Sequence, residues 1–483
     1  MSSTQTTYAD IQALISENDI RVIDFKQIDL SGRWHHLTIP VERFTEDLLT
    51  TGIGFDGSSY GFLTVEKSDM VFIPDLGSAF LDPVVDMPTL SMIGDIYRIN
   101  DTYTRFESDP RFVAEKAEAF LKKAGIADCA LFGPEFEFYV LDNVEFRNTT
   151  NHIEVHLDSA QSPWNTIDSP YDPIGHNLGF KVMPHRGYHA DQPYDTSFDL
   201  RNLMVRELED CGVPVKYHHS ENGSPGQVEV EVEFATLREI ADRSLKLKYL
   251  VKNIAVQNGK TVTFMPKPFL SECGSGMHIH MHMFNQGQPI FYDEAGYSNL
   301  SATALHAIAG ILQHAPALTA YTCPSTNSYK RLVPDNEAPV AICFGTSNRT
   351  AVVRIPGYAR SPEAKRFELR SPDAMSNPYL CLAAVLMAAI DGIQRQLDPV
   401  QLGFGPYDKN MYHLTDEEKK VVKSLPRSLA EAADALESDH AFLLNGEVFS
   451  QDLINNQIAK IRQDAADLNV APHPLEFEKY YDL

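Results

Sequence analysis

The stretch Gly133–Val140 reads GPEFEFYV, and its side chains alternate strictly between charged and apolar. Successive side chains of a strand point to opposite faces of a sheet. Glu135 and Glu137 therefore share one face, and Phe136 and Phe138 share the other. The stretch predicts a strand with an apolar face against a core and an acidic face on the opposite side.

Three further stretches alternate in the same way: QVEVEVEF at Gln227–Phe234, MHIHMHMF at Met277–Phe284 and FELR at Phe367–Arg370. One such strand alone is typical of a half-buried antiparallel sheet with a solvated face. Converging carboxylate faces repel one another and need cations. Their polar faces carry Glu229, Glu231, Glu233, His278, His280, His282, Glu368 and Arg370.

The predicted ligand set is rich in carboxylate oxygen and contains imidazole nitrogen. Such a set favours a hard ion, Mg²⁺ or Mn²⁺, over a structural zinc. The histidine triplet alone permits a zinc site, but no cysteine of the MHIHMHMF stretch supports one. The four strands together predict a divalent metal centre.

Arginines follow these strands along the chain. A guanidinium binds carboxylate or phosphate through two hydrogen bonds and keeps its charge at any working pH. Metals and arginines in an acidic protein predict a polyphosphate and a small dicarboxylate as ligands. The alternative is that the arginines are surface ion-pair partners. The set comprises Arg331, Arg349, Arg354, Arg366 and Arg370.

Composition limits the class of partner. A net charge of −25 over 483 residues argues against nucleic acid and anionic membrane surfaces. The sequence contains no apolar stretch of membrane-spanning length. The six cysteines are scattered without metal-finger spacing, which indicates reduced thiols and a cytoplasmic location.

The order of elements predicts an α+β fold, because strands and helices do not alternate as in parallel βαβ units. Asp109 is expected to cap a helix whose first residue is Pro110, and this helix follows a domain boundary near residue 106. Further helices are predicted at Leu200–Asp210 and Arg238–Asn258. The polar region Asn148–Gly179 is expected to be an irregular surface insertion.

Eight motifs, in this order, resemble those of the type I glutamine synthetase family, and the tail at His473–Tyr481 is similar to that of the family as well. The motifs are FDGSS (Phe55–Ser59), KSDM (Lys67–Met70), GPEFEF (Gly133–Phe138), HHSENGSPGQVE (His218–Glu229), KTVTFMPKP (Lys260–Pro268), GSGMHIH (Gly274–His280), NSYKRLVP (Asn327–Pro334) and NPYL (Asn377–Leu380).

The resemblance implies a small β-grasp-like domain at residues 1–106 and a catalytic domain at 107–483. In the catalytic domain an antiparallel sheet flanked by helices would form a funnel-shaped active site. It also implies a homo-oligomer of two stacked hexameric rings, with each site between neighbouring subunits. The ligands would be L-glutamate, ATP, ammonium and two divalent cations, Mg²⁺ or Mn²⁺.

The resemblance also assigns residues by motif position. Glu137, Glu221 and Glu229 would hold the first metal, and Glu135, His278 and Glu368 the second. Glu231 and Glu233 have no role in the family and are expected to be exposed or ion-paired. The substrate and nucleotide sets are Gly274, Arg331 and Arg370 for glutamate, Asp56, Ser59, Tyr188 and Glu221 for ammonium, and His280, Arg349 and Arg354 for the nucleotide.

The implied reaction is ATP-dependent ligation of ammonia to the side chain of glutamate through γ-glutamyl phosphate. Asp56 of the adjacent subunit would take a proton from ammonium, Arg349 would stabilise the transferring phosphoryl group, and Glu337 would close a flap that excludes water. Cys273 departs from the family pattern, which has an asparagine contacting glutamate there. It leaves open a γ-glutamylamide ligase that uses a polyamine or ethanolamine. A silent assembly homologue is the remote alternative.

Overall fold

The computed structural model describes residues 6–165, 177–333 and 338–481. Its strands are β1 (Val22–Ile28), β2 (Trp34–Pro40), β3 (Ile53–Asp56), β4 (Asp69–Pro74), β5 (Phe80–Leu81), β6 (Thr89–Ile99), β7 (Tyr103–Arg105), β8 (Cys129–Leu141), β9 (Asn143–Thr149), β10 (His152–Asp158), β11 (Val215–Ser220), β12 (Gln227–Val232), β13 (Ala235–Thr236), β14 (Thr261–Thr263), β15 (Met277–Asn285), β16 (Gln288–Pro289), β17 (Ala341–Thr346), β18 (Ala351–Ile355) and β19 (Phe367–Leu369).

The helices are α1 (Tyr8–Glu17), α2 (Leu48–Thr51), α3 (Pro110–Lys123), α4 (Phe198–Asp210), α5 (Leu237–Gln257), α6 (Ala302–Gln313), α7 (Ala315–Thr322), α8 (Ser328–Arg331), α9 (Pro378–Gln394), α10 (Asp416–Val421), α11 (Leu429–Ser438), α12 (Ala441–Leu444), α13 (Gln451–Asn469) and α14 (Pro474–Tyr480). No helix among those described combines the length and the apolar character needed to cross a bilayer.

The N-terminal sheet has seven strands in the order β2–β1–β6–β4–β3, and β5 and β7 also pair with β6. β1 and β6 run parallel, and the other pairs are antiparallel. Ile11 of α1 packs with Phe25 and Phe72 in the core of this sheet. The capping box that begins α1 uses Thr7 and Asp10, which satisfy each other's backbone N–H groups.

The second sheet has ten strands, and its main path runs β11–β12–β8–β15–β19–β18–β17. Its pairs are antiparallel except β17 with β18. The apolar faces of β8, β12 and β15 are buried under helices, and Phe136, Val230 and Ile279 belong to the same core as α5 and α9. Burial of these faces fixes the register, since a slip of one residue would exchange the apolar and charged faces. The α+β class is confirmed.

Three predicted helices are present with small shifts at their ends. α3 begins at Pro110, and the Asp109 carboxylate accepts the N–H of Arg111 as predicted for its cap. α4 begins at Phe198, two residues before the predicted start, and α5 covers Leu237–Gln257.

The prediction of an irregular insertion at 148–179 is wrong for its first part. β9 and β10 form a two-stranded antiparallel hairpin in which Val155 pairs with Phe146. Alternating apolar residues such as Val144 and Ile153 carry the strand pattern, and polar neighbours obscured it in the sequence. Residues 166–176 of this region lie outside the described residues.

Candidate active site

One cavity of about 600 Å³ opens beside the charged face of the ten-stranded sheet. Its wall includes eleven of the residues predicted from the sequence. They are Glu135, Glu137, Tyr188, Glu221, Glu229, Gly274, His278, Arg331, Arg349, Arg354 and Arg370.

Strand register brings the metal-ligand candidates together. Glu137 of β8 lies directly opposite Glu229 of β12, and Glu135 lies opposite His278 of β15. β19 adds Glu368, which is opposite His280. The five metal-ligand candidates are therefore on neighbouring strands of one sheet, although the strands themselves are far apart in sequence. They are Glu135, Glu137, Glu229, His278 and Glu368.

One ligand set has the composition predicted for the second metal. Atoms of Glu135, His278 and Glu368 lie within 4.8 Å of one another. His278 Nδ1 is 2.9 Å from Glu135 Oε2 and 3.7 Å from Glu368 Oε1. Glu368 does not line the cavity itself, but it completes the cluster because its strand β19 pairs with β15.

The other ligand set differs in one member from the prediction. Glu221 and Glu229 come together with His219 within the same 4.8 Å limit. Glu137 lies beside them, opposite Glu229, where its Oε2 accepts the N–H of Gly276 at 2.6 Å. His219 precedes the cavity residues Glu221 and Asn222, and nothing in the sequence distinguishes it from its neighbour His218.

The carboxylates of the cavity differ in charge compensation. Burial raises the pKa of Glu229, and repulsion from Glu135 and Glu137 raises it further. Burial alone would also raise the pKa of Glu135, but His280 and His278 outweigh it and hold that pKa well below its usual range. No cation among the described residues neutralises the charge around Glu229 as fully as His280 and His278 neutralise that of Glu135.

Arginines also line the cavity. Arg354 Nη1 and Arg370 Nε donate to the two oxygens of Glu368, and these contacts outweigh burial and keep the pKa of Glu368 lowered. Arg331 donates to the carbonyl oxygens of Arg370, Ser371 and Pro372, so the guanidinium is fixed in place. The exposed Arg349 lies at the rim.

Two glycines make room for Arg331. A Cβ on Gly274 would lie 2.7 Å from Arg331 Cγ, and a Cβ on Gly276 would collide with its guanidinium. Substitution at either position would displace the arginine. Gly274 therefore has a steric role here, in addition to the glutamate contact that the family resemblance predicts.

Besides Glu368, three predicted residues are not part of the wall, and a further one lies outside the described residues. Asp56 and Ser59 are in the N-terminal domain, where Ser59 Oγ donates to Asp56 Oδ2 at 2.6 Å. His280 is buried behind the wall, with its Nε2 2.7 Å from Glu135 Oε1. Glu337 lies in the undescribed segment 334–337.

Of the remaining wall residues, only Cys273 is singled out by the sequence, as a departure from the family pattern, and the others are not predicted. Cys273 Sγ lies 3.3 Å from His185 Nδ1, and the Cys273 carbonyl accepts the Tyr139 hydroxyl at 2.6 Å. Gln227 donates to the Gly274 carbonyl at 3.0 Å and so ties β12 to the glycine loop. The position of Gln227 at the start of QVEVEVEF was an available signal. The other unpredicted wall residues are Tyr217, His219, Asn222, Ala338, Thr350, Tyr358 and Tyr412.

Glu231 and Glu233, which were both expected to be exposed or ion-paired, differ in burial. Glu231 is fully buried and pairs with Lys216 Nζ at 2.6 Å, so the expected ion pair is present and exposure is not. Glu233 is exposed. One further cluster joins Glu231 with Glu135 and His280.

The donor set fits divalent cations. Carboxylate oxygens dominate both ligand sets, and each contains one imidazole. Mutual repulsion at Glu229 is the signature of a site that lacks compensating charge within the protein. Hard divalent ions prefer such oxygen-rich groups.

Two family models match consecutive parts of the chain. A model described as glutamine synthetase, beta-Grasp domain, matches residues 19–99. A model described as glutamine synthetase, catalytic domain, matches residues 107–480.

Relatives and solved structures cover nearly the whole chain. A glutamine synthetase of Mycolicibacterium smegmatis is 44% identical over 99% of this chain and 100% of its own length. One from Aquifex aeolicus is 43% identical over 99% of both chains. The cryo-EM structure of Plasmodium falciparum glutamine synthetase is 27% identical, covers 100% of both chains and has a TM-score of 0.89. A ligand-free structure of GmaS is 27% identical, covers 99% of this chain and 100% of its own, and has a TM-score of 0.79.

Proposed function

The chain belongs to the glutamine synthetase family, and from this premise we propose how its acidic cavity joins ammonia to glutamate. The enzyme is a ligase that forms glutamine with ATP, and the family uses divalent metal. The observation that carries the proposal is the wall itself, where carboxylates of adjacent strands and a set of arginines line one cavity. Acidic and basic groups in one cavity suit a metal-nucleotide and an anionic substrate.

Two divalent cations, Mg²⁺ or Mn²⁺, would be held by the six predicted ligands. When bound, they would neutralise charge on the transferring phosphoryl group. His219 is an additional candidate, because it lies with Glu221 and Glu229. The predicted ligands are Glu137, Glu221 and Glu229 for one cation and Glu135, His278 and Glu368 for the other.

Arginines orient the two anionic substrates. Arg331 and Arg370 would bind the carboxylates of glutamate, and the backbone contacts of Arg331 support this role by holding its guanidinium still. Arg349 and Arg354 would bind the phosphates of ATP, with His280 at the nucleotide. The γ-phosphoryl group moves to the glutamate side chain, and ammonia then attacks the acyl phosphate that results.

Ammonium would bind between Tyr188, Glu221 and an Asp56 lent by the adjacent subunit. Hydrogen bonds from Ser59 and then from Ser58 and Ser68 hold the pKa of Asp56 below its usual range. Asp56 therefore stays ionised and can attract the cation before it receives a proton. Glu337 would exclude water from the acyl phosphate, which otherwise hydrolyses.

A shared site requires an oligomer, and we propose two stacked hexameric rings. Asp56 and Ser59 lie outside the cavity of their own chain, which supports donation to a neighbour. A cytoplasmic location, without nucleic acid or membrane partners, remains part of the proposal.

The reaction is tested by phosphate release from ATP in the presence of Mg²⁺ or Mn²⁺ and glutamate. Ammonium is compared with methylamine, ethanolamine and putrescine, and products are identified by mass. Release that depends on ammonium and yields glutamine supports the proposal. A preference for one of the amines would assign the cavity to the γ-glutamylamide ligases.

The shared site is tested by mixing two inactive variants, Asp56→Ala and Glu229→Ala, by co-expression. If a site combines Asp56 of one subunit with Glu229 of the next, random mixing restores about a quarter of the wild-type activity. Each variant alone, and a mixture made after separate purification without exchange, are the controls. Hybrids that stay inactive would contradict the donation of Asp56.

A further inference from the structure

A second cavity, of about 440 Å³, lies away from the active site between the β1–β2 hairpin and helices α7, α9 and α13. We call it the hairpin cavity. Arg33 comes from the hairpin, Tyr321 from α7, Asn377 from the start of α9 and Lys460 from α13. Its size is within the range of small-molecule sites.

The hairpin is held firmly against α9. The Asn377 side chain donates to the carbonyl oxygens of Asp29 and Leu30, and it accepts the N–H of Tyr379 as the α9 cap. Gly32 has a φ of +83°, and a Cβ there would lie 2.9 Å from Asn377 Cα. The cavity is therefore a built feature of the contact between the two domains.

Two polar groups of the wall have no partner among the described residues. The Tyr321 hydroxyl is buried, with the residue 2% exposed, and makes no hydrogen bond. An unsatisfied buried hydroxyl costs about 1–3 kcal/mol, which a ligand would recover. The guanidinium of Arg33 makes no described ion pair, whereas Lys460 pairs with Asp464 at 2.8 Å.

The negative charges of the wall are already engaged. Asp29 accepts the N–H of Arg33 at 3.0 Å and lies 3.0 Å from His35 Nε2, and Asp464 is bound by Lys460. The groups left for a ligand are thus a guanidinium fork and a hydroxyl. A guanidinium binds carboxylate or phosphate in a bidentate manner.

The hairpin cavity also adjoins both segments that carry the glutamate arginines. The chain that follows Tyr321 leads through α8 to Arg331, and the chain that precedes Asn377 begins at Arg370. Arg331 donates to the backbone of this second segment. A ligand that shifts either segment would move a residue of the active-site wall.

We propose that the hairpin cavity is an effector site for a small molecule carrying a carboxylate or phosphate group. Arg33 binds the oxyanion and Tyr321 donates a hydrogen bond to the same molecule. Occupation changes the affinity of the active site for glutamate through the segments of Arg331 and Arg370.

Binding is tested by calorimetric titration of succinate and, separately, of inorganic phosphate into the full-length protein at constant ionic strength, with glutamate and a non-hydrolysable ATP analogue at saturation to fill the active site. Arg33→Met removes the exposed guanidinium of the hairpin cavity, and the matched control Arg21→Met removes an exposed guanidinium that lines neither cavity. We expect at least one probe to bind wild type and Arg21→Met equally and Arg33→Met about tenfold or more weakly. Tyr321→Phe should weaken the same binding about three- to tenfold. Succinate alone would indicate a carboxylate effector, and phosphate alone a phosphorylated one.

The effector role is tested by the KM for glutamate with and without the bound probe. We expect a change of about fivefold or more in wild type and none in Arg33→Met. This readout depends on the proposed ligase activity, whereas the titration does not, so the two can fail separately. Binding that survives Arg33→Met, binding of neither probe, or an equal KM change in both proteins would overturn the proposal. Arg33-dependent binding without any KM change would overturn the effector role.

Discussion

Carboxylates cluster in the active-site cavity, where they are mostly buried, and at the contact between the N-terminal sheet and α3, where those bound by Arg111 are partly buried. In the second region, which we call the arginine junction, Arg111 is 1% exposed and binds Asp75, Asp95 and Asp242. In the cavity, Glu229 is surrounded by other carboxylates and its pKa is raised. In the junction, Arg111 outweighs burial and lowers the pKa of Asp75.

The difference separates a structural use of buried charge from a functional one. The junction contains its own cation, so it holds the two domains together without any ligand. The cavity leaves negative charge around Glu229 uncompensated, which disfavours the folded state but creates affinity for added cations. The following changes alter the charge balance of one region at a time.

The largest effect is expected from Arg111→Met. It leaves the partly buried Asp75, Asp95 and Asp242 without the buried cation that binds them, and it should lower the free energy of unfolding by about 3–5 kcal/mol. The urea midpoint at fixed protein concentration measures the change. The matched control is Arg21→Met, since Arg21 forms an exposed pair with Asp19 and exposed pairs contribute about 0–1 kcal/mol. Equal midpoints for the two variants would show that the junction does not stabilise the domain contact.

Glu229→Ala should have the next largest effect, but on activity. Loss of a metal ligand is expected to reduce kcat/KM about 10²–10³-fold, or roughly 3–4 kcal/mol. Phosphate release with saturating Mn²⁺ and Mg²⁺ is the measurement. Glu233→Ala is the control, because Glu233 is exposed and lies on the same stretch of chain. Activity of Glu229→Ala close to that of wild type would remove Glu229 from the metal site.

The substitution Glu229→Gln distinguishes two roles of this side chain, namely repulsion of the neighbouring carboxylates and binding of metal. Without divalent metal, the neutral amide relieves repulsion from Glu135 and Glu137, and the thermal midpoint should rise by an amount equivalent to about 1–2 kcal/mol. With Mg²⁺ present, wild type gains from binding and the difference should shrink or change sign. Thermal unfolding in EDTA and in Mg²⁺ measures both values. A variant that is less stable than wild type in EDTA would show that the cavity is not strained by charge.

The alternating strands made most of the cavity predictable. Period-two alternation places Glu135, Glu229 and His278 on charged faces whatever the topology, so their chemistry can be recognised before any contact is known. The register between two strands depends on contacts between residues far apart in the chain, so a single stretch of sequence does not reveal it. The pairing of Glu137 with Glu229 depends on which strands are neighbours, and so does the inclusion of His219, which lies opposite Glu229 where β11 pairs with β12.

The arginine junction could not be predicted by the same reasoning. Asp75, Asp95, Arg111 and Asp242 belong to different elements, and none of them lies in an alternating pattern. Only packing of α3 against the N-terminal sheet brings them together. The hairpin at residues 143–158 was missed for a related reason, because its stability depends on a pairing that polar residues conceal.

An effect that is smallest near pH 4 and grows with pH is expected at the edge of the junction, where compensation of the buried charge is incomplete. Burial raises the pKa of Asp109 to about 7, although Arg105 Nη2 is 3.6 Å away and opposes the shift. A carboxyl whose folded-state pKa exceeds its unfolded value near 3.8 contributes stability below pH 4. That contribution is lost between pH 4 and pH 7, because the unfolded state releases its proton first.

Asp109→Asn keeps an acceptor for the N–H of Arg111 and removes this titration. The variant should match wild type near pH 4 and gain about 1.4 kcal/mol of relative stability for each pH unit up to about pH 7, which amounts to about 4 kcal/mol at pH 8. Urea midpoints at intervals from pH 4 to pH 8 measure the difference, and Asp19→Asn, at an exposed carboxylate, should leave the profile unchanged. A constant difference between Asp109→Asn and wild type at all pH values would mean that Asp109 is ionised throughout, and the arginine junction would then compensate every carboxylate it buries.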